Sequence, residues 1–348
     1  MSVLDAVLEV SCSLTDYTDY FSPLHAFPFS SYFQIIILIY DFSLITSWIL
    51  YVIIAGTFFQ DSIGDLTNLQ VLNMFSNPFL FGTIPSTLGS TKLFYLDFQG
   101  CGISGSIPSS VGEISDLWQF RFRDNSLTGS LPVELTKPVG LQVLELRGNY
   151  LTSTLPTEYS SMVGLQKFDV KFNLLTGTIP EEYISMISLT NFELYQNDMT
   201  GTIPTMIGSL TNMQVLDFDF NDFEGTIPSQ IGDLTRLQYL YFYGNKQLTG
   251  SIPRSFGNLT NLLELDLGAI DLVGSIPTEL GRLVNLETFY LDDNLHLVGP
   301  IPVEFGNLAH IQIFWLHNNH LSSSIPVELG NLSTVKVKSR YNVSALLK

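Results

Sequence analysis

Two cysteines in 348 residues, Cys12 and Cys101, are too few for a disulfide framework or a four-cysteine zinc site. Basic residues are also scarce: 15 Lys and Arg stand against 33 Asp and Glu, for a net charge of −18. A chain so poor in clustered cations does not neutralise phosphates, which excludes nucleic acid as a partner and favours a cationic or neutral one. The first basic residue is Lys92, so the N-terminus lacks the basic region of an ordinary cleaved signal peptide, and charge asymmetry cannot assign a membrane orientation. Missing too are GxSxG, HExxH, P-loop and dinucleotide signatures in their proper context, so neither an enzyme nor a cofactor is expected.

What is present is repetition. From Leu210 the chain reads LTNMQVLDFDFNDFEGTIPSQIGD, and the pattern returns every 24 residues, with single insertions near Lys246 and Leu295. Eleven copies start at Leu69, Leu93, Leu117, Leu141, Leu165, Leu189, Met213, Leu237, Leu262, Leu286 and Ile311. Counting each start as position 0, positions 3 and 5 are apolar in every copy, for example Leu216 and Phe218. Side chains alternate along a strand, so positions 3 and 5 face inward while positions 2, 4 and 6 face solvent, and each repeat is expected to supply one short strand.

Position 8 is Asn in nine copies, with Cys101 and Ile270 as exceptions. An amide there can satisfy backbone groups at the bend that would otherwise be buried without partners, which predicts a hydrogen-bonded ladder. A Gly-x-Ile-Pro group such as Gly225 to Pro228 follows; proline fixes φ and extends its predecessor, so the chain turns without a helix.

The consensus LxxLxLxxNxLxGxIPxxLGxL resembles the plant-type leucine-rich repeat over residues 63–335. The resemblance implies an α/β-class, β-dominated solenoid: a right-handed horseshoe or superhelix with a parallel concave sheet and an irregular or 3₁₀ convex side. Relatives of this type include receptor-like proteins, receptor-like kinase ectodomains and inhibitors of cell-wall-degrading enzymes, which bind proteins, peptides or small ligands on the concave face or its edges. Secreted relatives usually carry cysteine pairs in their caps, which this chain lacks. The resemblance accepts Cys at the ladder position, where Cys101 stands.

Outside the repeats, residues 1–34 read as an acidic, poorly ordered leader, and 336–348 as a short basic tail without a kinase signature. Residues 35–55, opening at Ile35 and closing at Ala55, are mostly Ile, Leu, Val, Trp and Tyr. Thirteen strong apolar residues gain roughly 4 to 8 kcal/mol on insertion against about 3 lost at Asp41, so a transmembrane signal anchor is affordable. The competing reading is a degenerate N-terminal cap over 35–62, with Ile45, Trp48 and Leu50 on positions 0, 3 and 5. An error in the assembled N-terminus is a third. Sequons at Asn258, Asn331 and Asn342 offer glycosylation sites, though the first two arise from the repeat's own GNLT and GNLS turns.

Function is sought in the solvent-facing columns. At position 4 the acids Glu145, Asp169, Glu193 and Asp217 fall in register; one column over lies a basic patch, Arg123, Arg147 and Lys171, joined by Arg121 at position 4. These cations should neutralise Glu145 and Asp169 and leave Glu193, Asp217 and Asp219 uncompensated beside Tyr195, Tyr239, Tyr241 and Tyr243. Uncompensated acids rimmed by tyrosine suit a basic or amphipathic protein or peptide. Asp266, Tyr290, Asp292, Trp315 and His317 extend the candidate surface toward the C-terminus. No metal is expected there: His317 and His320 in HNNH point different ways, and calcium needs more oxygens than a flat sheet offers. The function expected is non-catalytic recognition at a membrane, cell surface or outside the cell; the alternative is a cytosolic scaffold repeat protein.

Overall fold

The computed structural model describes residues 48–51 and 61–332; the expected leader, tail and most of the apolar segment lie outside them. Each of the eleven repeats contributes one strand to a twelve-stranded parallel sheet whose spatial order follows the chain, and Trp48–Tyr51 supplies the twelfth at the edge. That edge strand pairs with Leu69–Asn73, placing Leu50 opposite Leu72. Leu50 thus occupies position 3 of the frame, where the cap reading had put Trp48; an irregularity after Trp48 shifts the register. No described helix is long and apolar enough to cross a membrane, and the four described residues of the apolar segment are strand.

The inward positions behave as the alternation requires. Met213, Leu216 and Phe218 are fully buried, and Phe168, Phe192, Phe218 and Phe242 form a continuous aromatic spine with centroids 5.3 to 6.0 Å apart. Each such side chain removed from water stabilises by about 2 kcal/mol, and each touches only its own and adjacent turns.

A second strand in every repeat was not expected. Asp222–Thr226 pairs with Asp198–Thr202 and Gln247–Gly250, and such segments form a seven-stranded and a four-stranded sheet on the flank. Local alternation accounts for them: buried Phe223 sits between exposed Asp222 and Glu224. Pro228, at φ −64° and ψ 131°, then delivers the chain into a 3₁₀ turn at Ser229–Asp233, and the other repeats do likewise. The described residues therefore hold strands and 3₁₀ turns around one elongated core, a β-dominated solenoid.

The ladder forms as anticipated. Asn221, 4 % exposed, donates from Nδ2 to the carbonyls of Leu194, Phe218 and Asp219 at 3.0 to 3.2 Å. Its Oδ1 accepts from the N–H of Met199 at 3.1 Å, so one amide stitches two turns. Cys101 substitutes in part: its thiol donates to the Met74 carbonyl at 3.1 Å, and burial pushes its pKa up to about 11.

Glycine is required where turns touch. At Gly208 an added Cβ would stand 2.4 Å from the backbone carbonyl oxygen of Gln230 in the next repeat.

The candidate ligand-binding face

Strand pairing sets the position-4 column in register: Glu145 lies opposite Asp169, Asp169 opposite Glu193, Glu193 opposite Asp217, and Asp217 opposite Tyr241. Side chains in adjacent strands stand about 4.8 Å apart, so like charges here repel unless cations intervene. In one half of the sheet they do. Glu145 has Lys167 Nζ at 2.7 Å, Arg123 Nε at 3.4 Å and Arg121 Nε at 3.6 Å. Burial disfavours its charge, but these three cations outweigh burial and hold its carboxyl below the usual range.

Compensation reaches farther than columns of positions suggested. Lys171 donates to Glu193 and lies 3.7 Å from Asp217, and Lys167 stands 4.0 Å from Glu193. Glu193 and Asp217, read from sequence as lacking basic neighbours, are ion-paired and buried, at 5 % and 9 % exposure. Arg147 turns to Asp124 at 3.6 Å instead of serving the acid column.

Beyond Lys171 the balance fails. Asp219 accepts from the Tyr243 N–H at 2.5 Å, but burial, then Asp266 and Asp217, push its pKa up to about 9. Asp266 is pushed up to about 7, first by burial and then by Asp292 and Asp217, against the opposing hydrogen bond from the Gly268 N–H at 2.9 Å. Asp219 therefore favours its protonated form at pH 7, and Asp266 titrates in the neutral range. A cation arriving beside either would draw the proton off.

Aromatic side chains border these acids. Tyr241 donates its hydroxyl to Glu264 at 2.7 Å, and its ring lies tilted beside that of Tyr239 with centroids 6.3 Å apart. Tyr290 and Trp315 meet edge-on at 4.8 Å, with His317 5.8 Å from Trp315. A further row joins Phe172 to Tyr195 at 4.7 Å, Tyr195 to Phe220 at 5.5 Å and Phe220 to Tyr243 at 5.0 Å. Phe172 and Phe220 occupy position 7, in the left-handed region at φ 54° and 48°, and remain 42 % and 46 % exposed. A bulky residue in that conformation costs on the order of 1 kcal/mol, of which edge-to-face packing recovers part.

A family profile described as leucine-rich repeat region matches residues 186–296, and one described as Leucine Rich Repeat matches 92–114 and 310–332. This chain is a plant-type leucine-rich-repeat protein. Its structure is similar to a plant peptide hormone receptor, RGFR1, in complex with RGF2: 32 % identity, TM-score 0.71, covering 81 % of this chain and 49 % of that one. It is also similar to the leucine-rich-repeat ectodomain of the Arabidopsis receptor kinase HAESA in complex with an N-terminally extended IDA peptide hormone, at 31 % identity and TM-score 0.69, covering 75 % and 47 %. A plant ice-binding protein shares the fold as well, at 26 % identity, TM-score 0.56 and coverage of 64 % and 71 %. No curated protein matches. The chain spans about half the length of the two receptor chains.

Within this leucine-rich-repeat face the structure brings together Tyr195, Asp217, Asp219, Tyr239, Tyr241, Tyr243 and Asp266, and the surface continues through Tyr290, which lies opposite Asp266, to Asp292, Trp315 and His317. Sequence reasoning missed Phe172, Phe220 and Glu264. The signal for the two phenylalanines was available: position 7 is otherwise Gly, Ser, Asp, Asn, Gln or Ala, and an aromatic there sacrifices backbone comfort for exposure.

Proposed function

We propose that the chain is a non-catalytic, receptor-like recognition module, acting at the cell surface or outside the cell, that captures an extended peptide or protein segment on its concave face. The observation that carries this reading is an aromatic row, with Phe172 and Phe220 exposed, that runs through Tyr195 to Tyr243 and so up to Asp219 and the neighbouring Asp266, carboxyls that have no cation within ion-pair distance among the described residues. Such a surface favours a ligand that presents Lys or Arg together with apolar side chains. Two receptors of similar structure are described as binding peptide hormones, which supports the ligand class. The ice-binding relative shows that the fold alone does not fix the ligand, so the argument rests on the site. Asn258 and Asn331 are exposed at the ends of 3₁₀ turns across the core from the sheet, where glycans would leave the concave face clear.

The test is an array of twelve-residue peptides graded in charge and apolar content, read against the purified chain. Binders should be enriched in Lys or Arg together with aromatic or aliphatic residues. The double substitution Asp219→Asn with Phe220→Ser should weaken them more than tenfold with little change in melting temperature. Acidic binders, or undiminished binding by the variant, would refute this site.

A further inference from the structure

At the C-terminal end of the sheet, Asp292 and Asp293 follow the strand Thr288–Tyr290 and His317 follows the next, Ile313–Trp315, with one ligand-type atom from each lying within 4.8 Å of the others. His317 Nε2 is 3.7 Å from Asp292 Oδ2, too far for a hydrogen bond. Two donors held about 2.1 Å from one ion at a near-tetrahedral angle stand about 3.4 Å apart, close to that separation. Asp292 is also incompletely satisfied. Its side chain is 7 % exposed, and its Oδ1 is shielded from solvent without a hydrogen-bond partner. That oxygen is aimed at the space left by Gly268, where an added Cβ would meet Asp292 Oδ1 at 3.1 Å and Asp266 Oδ1 at 3.2 Å. A buried carboxylate with one oxygen unpartnered is costly to keep charged, and a cation bound at its other oxygen, Oδ2, on the His317 side lowers that cost.

The donors are fixed before any ion arrives. The N–H of Asp293 donates to the His317 carbonyl at 3.1 Å, and the N–H of Ala269 donates to the Asp292 carbonyl at 2.9 Å, locking the three strand ends together. Asn318 Nδ2 donates to Asp293 Oδ1 at 2.6 Å and orients that carboxylate, as outer groups do around metal ligands.

We propose that Asp292, Asp293 and His317 form a binding site for a divalent transition-metal ion of the zinc type, completed by water. Two carboxylates and a neutral imidazole carry two negative charges, matching a divalent ion. The imidazole nitrogen selects against calcium and magnesium, which take oxygen ligands. The ion joins the last two described repeats of the sheet and pins Trp315 through its contact with His317. The neighbouring His320 is outside this group, its Nδ1 lying against the Leu295 carbonyl. The sequence reading expected no metal because it weighed His317 with its chain neighbour His320; the partners are one strand away.

Isothermal titration of the full-length chain with Zn²⁺, followed in parallel by tryptophan emission, tests this independently of any peptide. One equivalent is expected to bind with micromolar affinity, at least tenfold more tightly than Ca²⁺. His317→Gln and Asp292→Asn should each lose at least tenfold in affinity, with His317→Gln keeping the native circular-dichroism spectrum. His296→Gln should bind as the parent does, since His296 sits at an exposed site 2.6 Å from Asp271. Affinity no better than millimolar in the parent, or Zn²⁺ binding unchanged in His317→Gln, overturns the site.

Discussion

Two acids of the position-4 column, Asp169 and Asp217, are 2 % and 9 % exposed, and their pKa values are pushed up to about 6, in both cases first by burial. Glu193 adds repulsion to each, while Lys171 pulls both back down. A carboxyl with a raised folded-state pKa holds its proton in the native chain where the unfolded chain has lost it. The native state then binds more protons, and stability falls as pH climbs from about 4 through about 6. A shift of about two units is worth about 3 kcal/mol per group once both states are ionised, and roughly half of that has been lost by pH 5. Between pH 5 and pH 8 the two groups together should cost about 3 kcal/mol, which lowers the melting temperature by about 4 to 5 °C for a domain of this size, whose unfolding entropy is about 0.6 to 0.7 kcal/mol/K. Asp266, at about 7, and Asp219, at about 9, extend the decline to higher pH. Glu145 acts in the opposite sense, its stabilisation fading only below pH 4.5, outside the scan. Thermal melts at constant ionic strength from pH 5 to 8 measure the slope. The double variant Asp169→Asn, Asp217→Asn separates these carboxyls from the general repulsion of a chain carrying −18. It should flatten the slope and melt higher than the parent at pH 8. A parent whose melting temperature is level or rises across this range, or a variant that keeps the parent slope, refutes the reasoning.

Two further substitutions probe the solenoid itself. Asn221→Ala strips three carbonyls and the Met199 N–H of their partner in a buried ladder and should cost about 3 kcal/mol in urea unfolding; a loss below about 1 kcal/mol would mean water repairs the gap. Gly208→Ala forces a methyl against the Gln230 carbonyl and should cost about 1 to 3 kcal/mol, whereas Gly164→Ala, with no atom nearer than 3.7 Å, should be neutral or slightly stabilising; equal effects at the two sites would remove inter-turn contact as the reason for the glycine.

The repeat made the fold legible because its requirements recur at fixed spacing: the apolar positions in all eleven copies, the ladder Asn in nine, and an Ile-Pro or Leu-Pro turn in each. The flanking strand was missed because the three residues that show its alternation, such as Asp222, Phe223 and Glu224, sit between two stronger signals, the ladder and the proline. The candidate face was legible as columns but not as chemistry. Columns record where a Cα lies, whereas Lys171 reaches across as many as two strand spacings and serves both Glu193 and Asp217. That reach converts acids read as free into buried ion pairs and moves the uncompensated charge toward Asp219 and Asp266. The grouping of Asp292 and Asp293 with His317 is invisible along the chain for the same reason, since its members meet only across strands.

This redistribution gives the face a direction. Cations cluster on the N-terminal half of the sheet, where Arg121, Arg123, Lys167 and Lys171 are spent on Glu145, Glu193 and Asp217. The C-terminal half presents Asp219, Asp266 and Asp292 with only His317 in ion-pair range among the described residues. From the strand of Asp217 to that of Trp315 is four strand steps, about 19 Å, the length of roughly six extended residues. A ligand lying along the columns should therefore place its basic residues over the C-terminal repeats and its apolar residues beside Phe172 and Phe220. Its binding should also release protons, because a cation next to Asp219 favours the ionised carboxyl. Calorimetry in two buffers of different ionisation enthalpy counts those protons, and a peptide whose capture releases none between pH 7 and 8 does not sit on Asp219.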